Sequence, residues 1–108
     1  MRRFFVARGR VQGVMFRQTL IRGAQNRRLQ AGASNLPNGI EVAFTLEGEA
    51  EAIAELVAAL RTKQPLNSWG ACADCLLEQD GGVPVEAHQV HTGNVDRFSW
   101  NPNIAMYL

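Results

Sequence analysis

The run from Gly9 to Arg17 constrains the fold of this chain more than any other segment. The apolar stretch Phe4-Phe5-Val6-Ala7 precedes it, and a helical spacing of Leu20, Ile21 and Ala24 follows it. An extended apolar stretch before the run and a helical stripe after it predict a turn between a strand and a helix. The glycines within the run allow the main chain to bend tightly there.

The same turn is suited to binding an anion. The amides from Gly13 to Phe16 would be the unpaired donors of a helix N-terminus, where the helix dipole also favours negative charge. Arg17 adds a planar guanidinium that can hold two phosphoryl oxygens at once. These features predict a phosphate cradle formed by Gly13, Val14, Met15, Phe16 and Arg17. The plainer alternative is an ordinary strand-to-helix connection with a solvated arginine.

Two motifs carry a resemblance to a known family. The string Gly-Arg-Val-Gln-Gly-Val-Met-Phe-Arg at residues 9–17 resembles the first signature of the acylphosphatase family, and residues 35–42, beginning with Asn35, resemble the second. The similarity extends from about residue 4 to residue 60. It implies a single acylphosphatase-like domain over residues 1–108, with Asn35 as a catalytic residue. The chain departs from the family at Ala31 and Gly32, where a glycine and then an aromatic residue are usual.

Hydrophobic periodicity predicts the element order βαββαβ, with an additional terminal strand as an option. Strands are expected at residues 4–8, 33–36, 40–46, 85–91 and 97–100, and helices at 16–28 and 49–61. A tight turn is expected at residues 37–39, and residues 63–84 are expected to be rich in loops. The order predicts an α+β ferredoxin-like sandwich, in which two helices cover one face of an antiparallel sheet. The first and third strands should be neighbours.

Composition limits the class of protein. At 108 residues and 46% hydrophobic, the chain is expected to form one domain with a sufficient core. No apolar run approaches the length of a membrane span, so no membrane partner is expected. The start of the chain lacks the pattern of an export signal, which leads us to expect a cytoplasmic protein.

Charge is distributed unevenly along the chain. Residues 1–40 carry eight arginines and no acid, whereas residues 41–108 carry three bases and ten acids. This asymmetry either steers anionic substrates toward the turn or belongs to an ordinary solvated face. Nucleic acid is not an expected partner, because the arginines are not interleaved with aromatic residues and lysine is nearly absent.

Cys72 and Cys75 are followed by His88 and His91 at nearly the spacing of a zinc site. The gap between the histidines is shorter than usual, and on a strand their rings would face opposite sides. We therefore expect no metal, and two free thiols of which one or both are buried. A zinc-stabilised interaction protein is a weaker class of function that the pattern leaves open.

Acyl phosphates have a good carboxylate leaving group, so their hydrolysis needs little acid–base help. Arg17 and the cradle amides would hold the phosphoryl oxygens, and the resemblance implies that Asn35 orients the attacking water. No cofactor is expected. We predict a monomeric hydrolase of acyl phosphates that inorganic phosphate, its product, inhibits competitively. The alternative is a non-catalytic module that binds phosphate or acyl phosphate on the same fold.

Overall fold

Strands and helices follow one another in the predicted order through the first 61 residues of the chain. The structure is a computed structural model that describes residues 1–62 and 64–108. Its elements are β1 (Arg2–Arg10), α1 (Phe16–Gln25), β2 (Gln30–Asn35), β3 (Glu41–Glu47), α2 (Ala50–Leu60), β4 (Cys72–Gln79) and β5 (Val90–His91). In these residues no helix is long and apolar enough to cross a membrane.

The five strands form one antiparallel sheet in the order β4-β1-β3-β2-β5, and both helices pack on one of its faces. This confirms the predicted α+β sandwich, including the central pairing of the first and third strands. Alternate residues of a strand point to opposite faces, so Phe5 and Phe44 lie together on the helix side, with ring centroids 5.1 Å apart. Their neighbours Phe4 and Thr45 point to the other face.

The strand β4 lies inside the region that was predicted to be rich in loops. Its buried residues Ala73 and Leu76 are three positions apart, which breaks the alternation expected of a strand. A bulge explains this spacing, because the register against β1 shifts between Arg8 and Gly9. Gly9 has φ +139, and a Cβ on it would lie 2.8 Å from the carbonyl oxygen of Cys72. The bulge breaks the alternation of buried and exposed residues, so the sequence pattern did not predict β4.

The prediction of two terminal strands, at residues 85–91 and 97–100, is mostly wrong. Only Val90–His91 is a strand, and it adds a fifth position beside β2. The segments Val85–Ala87 and Val95–Arg97 form short 3-10 turns instead. Residues 81–89, which we call the strap, lie between β4 and β5 and cross the sheet on the face away from the helices.

Gly32 makes room for the strap. A Cβ at this position would lie 2.4 Å from the carbonyl oxygen of Val85 and 2.8 Å from Cδ2 of His88. Thr45 on the same face donates a hydrogen bond of 2.7 Å to the carbonyl oxygen of Val83. The position where the family usually has an aromatic side chain is thus covered here by backbone and imidazole from a distant segment.

We expect Gly32→Ala to lower the free energy of unfolding by about 1–3 kcal/mol, because the strap must shift to admit the methyl group. Urea denaturation measures the change. Gly81→Ala is the matched control, since a Cβ there meets nothing within 4 Å. Equal stability of the two variants would contradict this account of the strap.

Candidate active site

The connection between β1 and α1 is held in an uncommon backbone conformation. Gly13 has φ +75, and Met15, which caps the N-terminus of α1, has φ 60 although it is not a glycine. We call residues 11–15 the cradle loop. In the described part of the chain, the amides of Gly13, Val14 and Met15 donate to no backbone or side-chain acceptor. Unpaired amides at the start of a helix are donors that an anion can accept from, so the predicted phosphate cradle stays a prediction with its donors free.

Gln12 joins the cradle loop to the hairpin that follows Asn35. Its side-chain amide donates hydrogen bonds of 2.8 Å to the carbonyl oxygens of both Leu36 and Glu41. These two residues also pair with each other through a backbone hydrogen bond of 2.9 Å. One side chain therefore fixes the distance between the two motifs that the sequence singled out.

Asn67 supports the cradle loop from the opposite side. It is fully buried, and its amide nitrogen donates to the carbonyl oxygen of Val14 and to Oγ1 of Thr19, both at 2.9 Å. Its Oδ1 accepts hydrogen bonds from the amides of Trp69 and Ala71. A buried polar group satisfied in this way is costly to remove, so Asn67 orders both the loop and the turn carrying Trp69.

A cleft of about 240 Å³ opens above the cradle loop and the start of α1. It is lined by Val11, Gly13, Met15, Phe16, Arg17, Gln18, Asn35, Trp69, Val90 and Phe98. Four of the five predicted cradle residues and the predicted catalytic asparagine therefore face one space. The exception is Val14, which does not line the cleft and whose carbonyl oxygen is bound by Asn67.

Gln89 links the two residues that were predicted to be catalytic. Its Oε1 accepts a hydrogen bond of 2.9 Å from Nη1 of Arg17 and one of 2.8 Å from the backbone amide of Asn35. Partial burial lowers the pKa of Arg17, although an arginine stays protonated in proteins. Sequence reasoning missed Gln89, because the only pattern around it, the pair His88 and His91, was assessed as a metal site.

Asn35 carries an acceptor without a partner. Its Oδ1 is buried and forms no hydrogen bond with the described residues. Because a buried polar atom without a partner costs free energy, such an atom in a cleft marks a place for a ligand group or an ordered water.

Most of the other arginines in residues 1–40 differ from Arg17 because they have carboxylate partners. Five of the eight arginines in residues 1–40 form ion pairs with carboxylates from the second part of the chain: Arg2–Glu47, Arg3–Glu78, Arg8–Glu41, Arg22–Asp96 and Arg27–Glu55. This pairing neutralises much of the positive field inferred from the sequence. Arg17 meets the neutral amide of Gln89 instead, so its charge remains available to an anion.

The cysteines and histidines do not form a common cluster. Cys72 and Cys75 are free thiols on the edge strand β4. Cys72 is half-buried and Cys75 is exposed, so the expectation that one or both would be buried is wrong. His88 and His91 lie next to or in β5, at the opposite edge of the sheet. Among residues 1–62 and 64–108, no three potential metal ligands of this kind lie together.

We expect a chelator to leave the melting temperature of the purified protein unchanged. The positive charge of the cleft comes from arginine and backbone amides, and His88 already uses both ring nitrogens in hydrogen bonds. Thermal unfolding with and without EDTA, together with the metal content of the purified protein, tests this. One equivalent of zinc, with unfolding on its removal, would contradict the expectation.

Fold and cleft together define a class: a two-layer α+β protein with a cleft beside the loop between its first strand and first helix. The Acylphosphatase family model matches residues 3–74, two thirds of the chain, so the chain belongs to the acylphosphatase family. Membership of this family indicates a hydrolase and a small acyl phosphate as substrate. No curated protein sequence matches the chain.

Solved structures agree with this assignment. The chain is 26% identical to an acylphosphatase from Bacillus subtilis, with a TM-score of 0.58 over 82% of this chain and 92% of that one. It is 25% identical to an acylphosphatase from Coxiella burnetii, with a TM-score of 0.63 over 77% and 82%. It also resembles T. kodakarensis HypF, at 28% identity and a TM-score of 0.60, over 73% of this chain but 10% of the longer protein.

Proposed function

We propose that residues 1–108 form a single acylphosphatase-like domain that hydrolyses acyl phosphates to a carboxylate and inorganic phosphate. The observation that carries the proposal is Arg17, a partly buried guanidinium that has no carboxylate partner among the described residues and shares one cleft with unpaired loop amides and Asn35. A cation of this kind favours a bound anion, and a phosphoryl group matches both the guanidinium and the amides.

The reaction can proceed without a protein base. The oxygen of a water molecule attacks phosphorus and forms a new bond to it. The bond between phosphorus and the acyl oxygen breaks, and the carboxylate leaves with the electron pair of that bond. The proton of the water passes to a phosphoryl oxygen. In the part of the chain that the structure describes, no His, Asp or Glu lines the cleft, which agrees with this route. Arg17 and the loop amides would stabilise the charge that spreads over the phosphoryl oxygens.

Asn35 would place the water. Its Oδ1 lacks a partner in the described chain, and a water molecule that donates a hydrogen bond to this atom would satisfy it. The same hydrogen bond would turn the lone pairs of the water toward a phosphorus held by the cradle loop. Positioning of this kind supplies much of the barrier reduction in phosphoryl transfer.

The acyl group would lie against aromatic side chains. Trp69 and Phe98 both line the cleft, and each is 41% exposed, so part of each ring is open to a ligand in the cleft. Benzoyl phosphate is therefore a suitable first substrate, because its ring can pack on either of these side chains.

Turnover of benzoyl phosphate by the purified protein tests the proposal. We expect release of benzoate and phosphate above the rate of the buffer alone, with competitive inhibition by inorganic phosphate. Phosphate binding without turnover would overturn the enzymatic proposal and favour the alternative, a non-catalytic module that binds phosphate or acyl phosphate. The similarity to a small part of the longer HypF supports keeping that alternative.

A further inference from the structure

The strap is held to the sheet by a directed series of hydrogen bonds around His88. The hydroxyl of Thr45 donates to the carbonyl oxygen of Val83, so its oxygen accepts from Nε2 of His88 at 2.8 Å. Nδ1 of the same ring then accepts from Oγ of Ser34 at 2.9 Å. The neutral ring that carries its proton on Nε2 satisfies each of these contacts.

The end of this series is Gln89. Oγ of Ser34, whose hydrogen goes to His88, accepts a hydrogen bond of 3.0 Å from the backbone amide of Gln89. The backbone of Gln89 is thereby fixed beside Ser34 of β2, the residue that precedes Asn35. From this position its side chain reaches both the Arg17 guanidinium and the amide of Asn35.

We propose that Gln89 is a positioning residue, which holds the Arg17 guanidinium beside Asn35 before the ligand binds. A free arginine side chain loses conformational entropy when it becomes fixed on a phosphoryl group. Gln89 removes part of that loss before binding, because its Oε1 already holds one guanidinium nitrogen and its backbone is bound to Ser34 of β2.

The chemical type of the holding group matters. A carboxylate at this position would form an ion pair with Arg17 and would repel a phosphate that approaches the same guanidinium. A carboxamide oxygen accepts the same two hydrogen bonds without adding charge. The Arg17 guanidinium is thus held in place, and its full positive charge remains available to an anion in the cleft. This inference rests on the proposed phosphate-binding role of Arg17, but it does not require turnover.

Two substitutions separate positioning from a structural role. Gln89 is exposed, so its variants should fold as the parent does. Gln89→Leu removes the acceptor, and we expect inorganic phosphate to bind about tenfold more weakly, with a similar fall in kcat/KM. Gln89→Glu should bind phosphate more weakly still near neutral pH.

The pH profile is the diagnostic measurement for Gln89→Glu. As pH falls through the pKa of the introduced carboxyl, its protonated form can accept hydrogen bonds as the carboxamide does, so phosphate affinity relative to the parent protein should recover. Isothermal titration with inorganic phosphate between about pH 4 and pH 8 measures this ratio. Gln79→Leu and Gln79→Glu, at an exposed glutamine on β4, serve as controls that should change neither value.

The outcomes are distinct. Unchanged phosphate affinity in folded Gln89→Leu overturns the positioning role. Equal losses in both Gln89 variants at every pH, with lower melting temperatures, also overturn it, because they identify Gln89 as structural. If the parent protein binds phosphate, Gln89→Leu weakens that binding and no acyl phosphate is hydrolysed, the proposed enzymatic function fails and the positioning role stands. A parent protein that binds no phosphate overturns both.

Discussion

Replacing Arg17 with alanine is expected to abolish measurable turnover and to weaken inhibition by inorganic phosphate, while the fold survives. The side chain lies in the first turn of α1, is partly exposed, and contacts Gln89 rather than a carboxylate. Arg17 is the one cation that lines the cleft among residues 1–62 and 64–108. We expect its removal to lower kcat/KM by about a thousandfold or more, by comparison with other arginines that stabilise phosphoryl transfer. Steady-state kinetics and thermal unfolding on the same preparation measure both effects.

Arg17→Lys should fail nearly as badly as Arg17→Ala. An ammonium group is a point charge that cannot hold two phosphoryl oxygens and Gln89 in one plane. Arg2→Ala is the matched control, because that arginine forms an exposed ion pair with Glu47 far from the cleft, and we expect activity within about twofold of the parent. Loss of activity together with unfolding in the Arg17 variants would show instead that this arginine is structural.

Asn35→Ala is expected to lower kcat by about a hundredfold or more, with nearly normal affinity for inorganic phosphate. The proposal assigns the phosphoryl oxygens to the cradle loop and Arg17, and the attacking water to Asn35. Removing a group that acts only on the nucleophile lowers kcat but leaves the affinity for phosphate nearly unchanged. Comparison of kcat with the phosphate inhibition constant measures the two effects separately.

Asn38 supplies the contrasting control for this substitution. Its Oδ1 accepts hydrogen bonds of 3.0 Å from the amides of Ile40 and Glu41, so it shapes the hairpin and does not line the cleft. Asn38→Ala should lower stability and leave the specific activity of the folded protein intact. If Asn35→Ala behaves in this same way, Asn35 is a turn residue and the assignment of the water is wrong.

Local patterns were sufficient for the first part of the fold. Gly13 and the apolar stretches on both sides of it predicted a strand, a tight turn and a helix, because turn conformation and hydrophobic period depend on neighbouring residues. The hairpin at residues 37–39 follows from the positive φ that Gly39 adopts and from the side-chain hydrogen bonds of Asn38. The prediction that Arg17 and Asn35 share a site used these elements, and one cleft contains both.

The later part of the chain could not be predicted in this way. β4 is an edge strand with a bulge, so its buried residues lack the alternation by which strands are recognised. The terminal segments were predicted as strands because apolar residues recur there, yet they contribute a strap and a single short strand. The position of the strap depends on the space that Gly32 leaves on the sheet, and no residue next to the strap in sequence indicates that space.

The sequence by itself therefore determined the parts that we propose bind a phosphoryl group and orient the attacking water: the cradle loop, the start of α1 and the asparagine at the end of β2. Only the tertiary structure decided what surrounds them. Gln89 lies 72 residues from Arg17, and Asn67 lies 53 residues from the carbonyl group it holds. The physical reason is that turns and helix ends form from adjacent residues, whereas these hydrogen bonds exist only after sheet pairing brings distant segments together.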